Sequence, residues 1–309
     1  MKKEFLILLC CAFTTLFTAC DERNEPVNET PKTLHVATAG NLSTLIAETE
    51  KYEVTNLTLT GNLNGSDIRC IREMAGGETK KGKLSVLDLS GANIVEGGAP
   101  YYIERNSING INADLDFFTE NNCISSNMFR LCENLTTVTL PDNITSIGEW
   151  AFGACIRLTT INIPDAITTI ENNTFNCCVA LKSITIPDNV ASIGISAFIS
   201  CSDLTSVKLG EKVAFIGIRA FESCSKLTSI TLPKSVTEIE LMAFSYCSGL
   251  ENIYSENPVP PTCYKSTFQD ISNEGDYNST CTVHVPAGSV QAYKEATGWK
   301  QFKNIVEKP

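Results

Sequence analysis

Histidine is nearly absent from this chain of 309 residues, which contains only His35 and His284. Ser-His-Asp catalysis and His-rich metal binding both need imidazole side chains, so these two classes of site have almost nothing to draw on. Acidic residues are numerous but scattered, without the paired arrangement of a glycosidase. We therefore expect no enzyme activity, no metal and no cofactor.

Positive charge is also in deficit, because 24 lysine and arginine residues stand against 35 aspartate and glutamate residues, a formal net charge of −11. Proteins that bind nucleic acid present a basic surface, so nucleic acid is not an expected partner. The apolar run near the amino terminus extends only from Phe5 to Phe17. It is too short to span a bilayer as a helix, and a membrane link other than a lipid is not expected.

The amino terminus resembles a bacterial lipoprotein signal, with Phe17-Thr18-Ala19-Cys20 as the lipobox. The resemblance implies cleavage before Cys20 and lipidation of its thiol, with residues 1–19 as signal peptide. Residues 20–32 then form an acidic polar tether. Its Asp21–Glu22 pair resembles an export tag to the outer leaflet in Gram-negative anaerobes. An ordinary secretory signal and a plain tether are the alternatives.

One unit is written five times in the middle of the chain, at a constant period. The copies begin at Leu135, Leu158, Leu181, Leu204 and Leu227. A strict period in this range is the signature of a solenoid. Residues 112–134 are predicted to be a sixth, degenerate copy, with Leu115 and Phe117 in its strand.

The first copy shows why the unit repeats. Leu135, Val138 and Leu140 alternate as in a half-buried strand, and Pro141 ends that strand because it cannot donate to a ladder. One unit cannot bury its apolar groups alone, whereas stacked units form continuous apolar columns. The phenylalanine column is predicted at Phe129, Phe152, Phe175, Phe198, Phe221 and Phe244.

Fourteen cysteines invite a metal or disulfide interpretation, but six of them recur once per unit in an apolar setting. Zinc sites need close pairs that converge on one point. We therefore predict a structural column of buried thiols at Cys132, Cys155, Cys178, Cys201, Cys224 and Cys247. Cys177 lies one place outside this column. Cys263 and Cys281, outside the repeats, are the best candidates for a disulfide in an exported protein.

These units resemble the leucine-rich repeats of BspA-like cell-surface proteins, on a core pattern of L-x-x-[IV]-x-[IL]-P-x-x-[IV]-x-x-I-x-x-x-[AT]-F-x-x-C. The resemblance implies a leucine-rich repeat solenoid, a mostly β right-handed coil with a parallel sheet, capped at both ends. It also implies surface display and binding of host or matrix partners, and it implies no activity. The predicted domains are an amino-terminal cap with irregular repeats at 33–111, the array at 112–254 and a carboxyl-terminal cap at 255–309.

A candidate binding face follows from the period of two along each strand, which turns polar side chains outward. One outward column is Thr137, Thr160, Ser183, Ser206 and Ser229. The other outward column is Thr139, Asn162, Thr185, Lys208 and Thr231. These residues also suit a merely solvated strand face, and aromatic anchors are missing from both columns. Tyr101 and Tyr102, in an irregular insertion at 97–114, and the carboxyl-terminal cap are competing contact sites.

The function predicted from these features is a non-enzymatic lipoprotein on the outer membrane, facing the cell exterior and binding a protein or glycan. We expect it to be a monomer. A periplasm-facing structural or assembly scaffold is the second hypothesis, because the same fold would serve it. An enzyme with a site in residues 90–130 is the least favoured hypothesis.

Overall fold

Successive units stack as rungs, because each brings apolar side chains that only its neighbours can cover. Residues one repeat apart in the sequence lie opposite each other in parallel strands, as Ser183 and Ser206 do. The computed structural model describes residues 31–77, 81–108, 111–271 and 281–308, without the side chains of 105–108 and 111–113.

The elements follow one another along the chain as β1 Lys32–Val36, α1 Leu42–Leu45, β2 Asn56–Leu63, α2 Gly65–Met74, β3 Val86–Ile94, β4 Gly97–Ile108, β5 Ile111–Thr119, β6 Cys123–Ile124, β7 Thr137–Thr139, β8 Ser146–Ile147, β9 Thr160–Ile161, β10 Thr169–Ile170, β11 Ser183–Thr185, β12 Ser192–Ile193, β13 Ser206–Lys208, β14 Phe215–Ile216, β15 Ser229–Leu232, β16 Glu238–Ile239, β17 Asn252–Ser255, β18 Thr262–Cys263, β19 Thr282–Val285, α3 Val290–Glu295 and β20 Asn304–Glu307.

Two sides of the solenoid are built from parallel strands. The first face contains the sheets β1-β2-β3-β7-β9, β11-β13 and β15-β17-β19-β20. The second face contains β6-β8 and β10-β12-β14-β16-β18. Between the second face and the next strand of the first face, each rung passes through a tight turn, which we call the turn corner. The predicted parallel-sheet solenoid is confirmed.

The core runs along the axis as columns of identical side chains, as the spacing predicts. The six predicted phenylalanines are fully buried, and consecutive rings stack with centroids 5.1–5.6 Å apart, continuing to Phe268. The six predicted cysteines are fully buried as well. Burial of large side chains in register gives each rung its stability, since apolar burial is the main favourable term in folding.

The parallel coil already includes the segment predicted as the amino-terminal cap. Strand β1 pairs in parallel with β2, with Lys32 opposite Leu57. Helix α2 begins at a capping box, in which Asn64 Oδ1 accepts from Ser66 N and Asp67 Oδ2 accepts from Asn64 N. This helix takes the place of the turn corner in the second rung.

The insertion after β3 is an antiparallel hairpin of β4 and β5, with a shift of register between Gly97 and Tyr102 and in-register pairing from Tyr102 to Ile108, so the predicted irregular segment at 97–114 is wrong from Tyr102 onward. The predicted degenerate copy is also wrong in its first half. Leu115 and Phe117 pair with Glu104 and Tyr102 of the hairpin, and Leu115 is 53% exposed. Because β3 pairs directly with β7, residues 86–136 form one long rung that contains the hairpin and β6.

The carboxyl end continues the repeat further than its prolines suggest. Pro258, Pro260 and Pro261 are predicted to break the repeat, yet β18 still pairs with β16, Cys263 lying opposite Ile239. Trp299 then covers the ring of Phe268 at 5.2 Å and donates its indole N–H to Pro261 O at 2.8 Å. The large apolar residues thus close this end of the core, as predicted.

Candidate functional site

The predicted binding columns lie on the outside of the first face. Thr160, Ser183, Ser206 and Ser229 are exposed, while the alternate residues of the same strands, such as Ile184 and Ile230, are buried. Thr137 and Thr139 are partly covered. Period-two geometry therefore places the predicted residues on one solvent-facing side. Which of them contact a ligand stays a prediction.

Some polar groups of this face serve the solenoid itself. The exposed Asn162 joins its neighbour rung, since its Oδ1 accepts from Leu140 N at 2.7 Å and its Nδ2 donates to Leu140 O at 3.1 Å. Thr159 and Thr205 donate their hydroxyls to carbonyls of the preceding rung at 2.9 and 3.0 Å. These groups complete the ladder where strands are very short, which limits their availability to a ligand.

Strand register carries both columns beyond the residues that the sequence identified. The first column continues from Ser229 through Asn252, Thr282 and Asn304. The second continues from Thr231 through Tyr254, His284 and Val306. The ten predicted residues include no aromatic side chain, but the continuation of the second column brings Tyr254 and His284 onto the same face. Tyr254 lies one repeat after Thr231, so the period of the sequence could have identified it. His284 follows a longer connection, so its place in the column is known only from the strand register.

Tyr254 and His284 form an aromatic pair on this face. Their rings stack with centroids 4.5 Å apart and planes 13° from parallel. His284 Nε2 lies 3.0 Å from Asn252 Oδ1, a hydrogen bond that holds the imidazole in place. Tyr254 and His284 are each partly exposed. The two rings stand out from this face, because most of its other outward side chains are short and polar.

The alternative contact at Tyr101 and Tyr102 is not an exposed aromatic surface. Tyr101 is buried, and its hydroxyl donates to Ser126 O at 2.6 Å. The Arg72 guanidinium lies 4.7 Å above the ring of Tyr102. Sequence reasoning missed Arg72, whose buried guanidinium donates to the carbonyls of Asn127, Met128 and Arg130 at 2.9–3.1 Å. The residues next to Arg72 in the sequence gave no indication of this role.

The side chains of Tyr101 and Arg72 cap the open edge of the turn corner. In later rungs the carbonyls of Glu149, Ala151 and Gly153 accept N–H groups from the rung before. The equivalent carbonyls one repeat earlier belong to Ser126, Met128 and Arg130 and accept from Tyr101 and Arg72 instead. The hairpin and α2 therefore satisfy the edge with side chains, which explains why Tyr101 is packed inward.

The thiol column is confirmed as structural. Cys178 Sγ donates to Phe152 O at 3.2 Å, and Cys201 Sγ donates to Phe175 O at 3.3 Å. Burial raises the pKa of Cys178 and Cys201 well above the usual range, because a buried thiolate loses its hydration. Such thiols stay protonated and unreactive at neutral pH.

The predicted disulfide between Cys263 and Cys281 is wrong. Both are buried free thiols. Cys263 lies in β18 of the second face, whereas Cys281 directly precedes β19 of the first face. The two residues therefore belong to different sheets, although both lie in the carboxyl-terminal region that suggested the pair.

The lipidation site Cys20 and its surroundings lie outside the described residues. Within the ranges that the structure describes, no helix is long and apolar enough to cross a membrane. Over the same ranges, no group of three His, Cys, Asp or Glu side chains could hold a metal ion.

Comparison with known proteins agrees with the rung geometry. Residues 122–257 match the family model described as BspA type Leucine rich repeat region, in six copies. No curated protein matches the chain significantly.

Among solved structures, a T. pallidum leucine rich repeat protein is 34% identical, with 42% of this chain and 61% of that chain covered at a TM-score of 0.42. The chain thus spans less than two thirds of that protein. A Bacteroides ovatus leucine-rich repeat protein is 21% identical, with 68% and 78% covered at a TM-score of 0.34. A Faecalibacterium prausnitzii leucine rich cell surface protein is 17% identical, with 79% and 82% covered at a TM-score of 0.42. The array at residues 122–257 is therefore similar to BspA-type leucine-rich repeat regions.

Proposed function

We propose that the chain is a non-enzymatic lipoprotein, anchored through Cys20 to the outer membrane and facing the cell exterior. Its first face binds a protein or glycan. The observation that carries the proposal is the pair of outward columns, which offer rows of hydroxyl and amide groups, interrupted by Lys208, at a spacing of about 4.8 Å from rung to rung. Such a surface suits a large partner that is held by many weak hydrogen bonds.

The lipobox resemblance supports the anchor, and it is tested by metabolic labelling with an alkyne fatty acid. We expect the wild-type chain to incorporate the label and Cys20→Ser to lose it. Cys177→Ser is the matched control and keeps the label, because Cys177 lies in the array. A labelled Cys20→Ser variant would show that the anchor is elsewhere.

Surface display is distinguished from a periplasmic scaffold by protease treatment of intact cells. We expect the array to be cleaved on intact cells, whereas a periplasmic protein of the same cells survives. Survival of the array until lysis would favour the scaffold hypothesis.

Binding by the first face is tested with Thr160, Ser183 and Ser206 changed together to Glu, on an array of glycans and matrix proteins. Three carboxylates on adjacent rungs add repulsion and desolvation, so we expect a loss of affinity of roughly tenfold or more. The matched control changes Ser146, Thr168 and Ala191 to Glu, because these residues are exposed on the second face. Equal affinity in both triple variants would exclude the first face.

A further inference from the structure

Near its carboxyl-terminal end, the outward surface of the first face changes from short polar side chains to aromatic rings. We call this change the step. Up to β15 the outward side chains near the step are short, and Ser229 and Thr231 are exposed. The next residue in the second column is Tyr254, opposite Thr231 in register. The change from a hydroxyl side chain to a phenol ring raises the surface abruptly at this strand.

One ring face of Tyr254 is available at this step. His284 covers the other face, with ring centroids 4.5 Å apart, close to the spacing of about 4.8 Å between neighbouring strands. The two rings therefore stack along the sheet, and the free face of Tyr254 points toward Thr231. A threonine side chain is too short to cover a phenol ring. The stacked rings of Tyr254 and His284 therefore form an aromatic wall. Beside this wall lies a shelf of short polar side chains, namely Ser206, Ser229 and Thr231.

The wall is held rigidly from behind. His284 is fixed by its hydrogen bond to Asn252 and is followed in the column by Val306. A ring that is already ordered loses little conformational entropy when a ligand packs against it. The step is therefore preorganised.

Charge decides which ligand fits this surface. Among the outward positions of the two columns from Thr137 to Val306, Lys208 is the one charged side chain. The whole chain carries a net charge of −11, which opposes a polyanion. The acidic row of Asp142, Asp165, Asp188 and Glu211 that would attract a basic partner follows the ends of the first-face strands, and Lys234 takes the equivalent position in the rung of Thr231.

We propose that the step formed by Tyr254 and His284, with the shelf of Ser206, Ser229 and Thr231, binds a neutral glycan. A sugar ring has an apolar C–H face that packs on an aromatic ring, and hydroxyl groups that exchange hydrogen bonds with serine and threonine. The wall and the shelf present these two contacts side by side. This inference rests on the proposed function and names both the ligand class and the subsite on the first face.

The test is affinity electrophoresis of the purified full chain in native gels that contain mannan, xylan, β-glucan or dextran. We expect at least one of these neutral polysaccharides to retard the wild-type chain. Tyr254→Ala is expected to weaken that binding roughly tenfold or more, because it removes the aromatic contact. Tyr246→Ala is the matched control, since Tyr246 is 48% exposed at the turn corner and should leave binding unchanged.

A second variant keeps the inference testable if Tyr254→Ala fails to fold. Thr231→Phe adds a ring at an exposed strand position that favours aromatic residues, and this ring covers the free face of Tyr254. We expect this folded variant to lose binding as well. A neutral ligand forms no ion pair with the chain, so the affinity should change less than about twofold when the salt concentration is raised about tenfold.

Failure of this inference differs from failure of the proposed function. If the first-face glutamate variant loses binding while Tyr254→Ala and Thr231→Phe bind as wild type, the face binds but the step does not. If no polysaccharide retards the wild type while a deglycosylated matrix protein binds it, the glycan assignment is overturned. A tenfold loss of affinity on that rise in salt concentration would overturn the neutral charge of the ligand.

Discussion

Single residues at the turn corner carry an unusual backbone conformation. Two positions in each rung have φ near +60°, and none of them is glycine: Asn127 and Leu131, Trp150 and Ala154, Asn173 and Cys177, Ser196 and Ser200, Arg219 and Ser223, Met242 and Tyr246. An L-residue in this region costs about 1–2 kcal/mol. The N–H groups of these positions, apart from Met242, donate to the next rung, so stacking imposes the conformation.

Ala154→Gly is therefore expected to stabilise the chain. Ala154 has φ +58°, and glycine removes the steric cost there while increasing the entropy of the unfolded state. The net gain in the free energy of unfolding should be about 0.5–1 kcal/mol. Denaturant titration measures it.

The matched control is Ala151→Gly in the same turn, where the buried alanine has no left-handed backbone. This variant should lose about 1 kcal/mol. If both variants are destabilised equally, stacking does not strain position 154.

Residue spacing predicts which side chains point inward but not the backbone angles at the corner. The inward columns follow from the constant period, so the positions of Phe198 and Cys201 could be predicted. Cys177 looks like a misplaced member of the thiol column, yet it occupies a left-handed position that alanine, serine and tyrosine fill in other rungs. The angle arises from hydrogen bonds between rungs, which composition does not show.

At the scale of elements, the phenylalanine ladder joins neighbouring rungs. Phe198 is fully buried between Phe175 and Phe221, with ring centroids 5.2 and 5.1 Å away. Phe198→Ala removes two stacking contacts and leaves a cavity that the rigid rungs cannot close. We expect a loss of about 3–5 kcal/mol in the free energy of unfolding.

The comparison variant is Phe118→Ala, because Phe118 in the hairpin is 48% exposed. Its stability should stay within about 0.5 kcal/mol of the wild type. Denaturant titrations of the two variants separate ladder packing from a general effect of losing a phenyl ring. A loss below about 1 kcal/mol for Phe198→Ala would contradict the inward assignment.

Elements that depend on distant contacts were the least predictable. The hairpin pairs in register from Tyr102 to Ile108, but its glycines and asparagines favour an irregular segment in a local interpretation. The cap formed by Arg72 and Tyr101 depends on carbonyls that are distant in the sequence. The candidate site shows the same limit, because the Tyr254–His284 stack crosses a connection that interrupts the period.

At the scale of the whole molecule, the repeat places one buried thiol in each rung, so the effects of the thiols on stability add together. Burial raises the pKa of Cys155, Cys178, Cys201 and Cys224, since the protein interior penalises each thiolate. Each of the four thiols also donates to a carbonyl of a preceding rung. A chain with this arrangement keeps reduced thiols inside its core, protected from oxidants by burial.

The buried thiols together predict that the chain loses stability at alkaline pH. Because the folded pKa of these thiols is raised, their stabilising effect is fully present below the unfolded pKa of about 8.5 and is lost as the pH rises toward the folded pKa. Each thiol should lower the free energy of unfolding by about 1.4 kcal/mol per pH unit in that window. Burial also raises the pKa of Cys70, Cys263 and Cys281, so the seven thiols together give roughly 10 kcal/mol per unit. Denaturant titrations between pH 7.5 and 9.5, with a reductant present, measure the slope. Cys201→Ala should reduce the slope by about a seventh, because it removes one of the seven thiols. A free energy of unfolding that does not change with pH over this range would place the thiol column in contact with water.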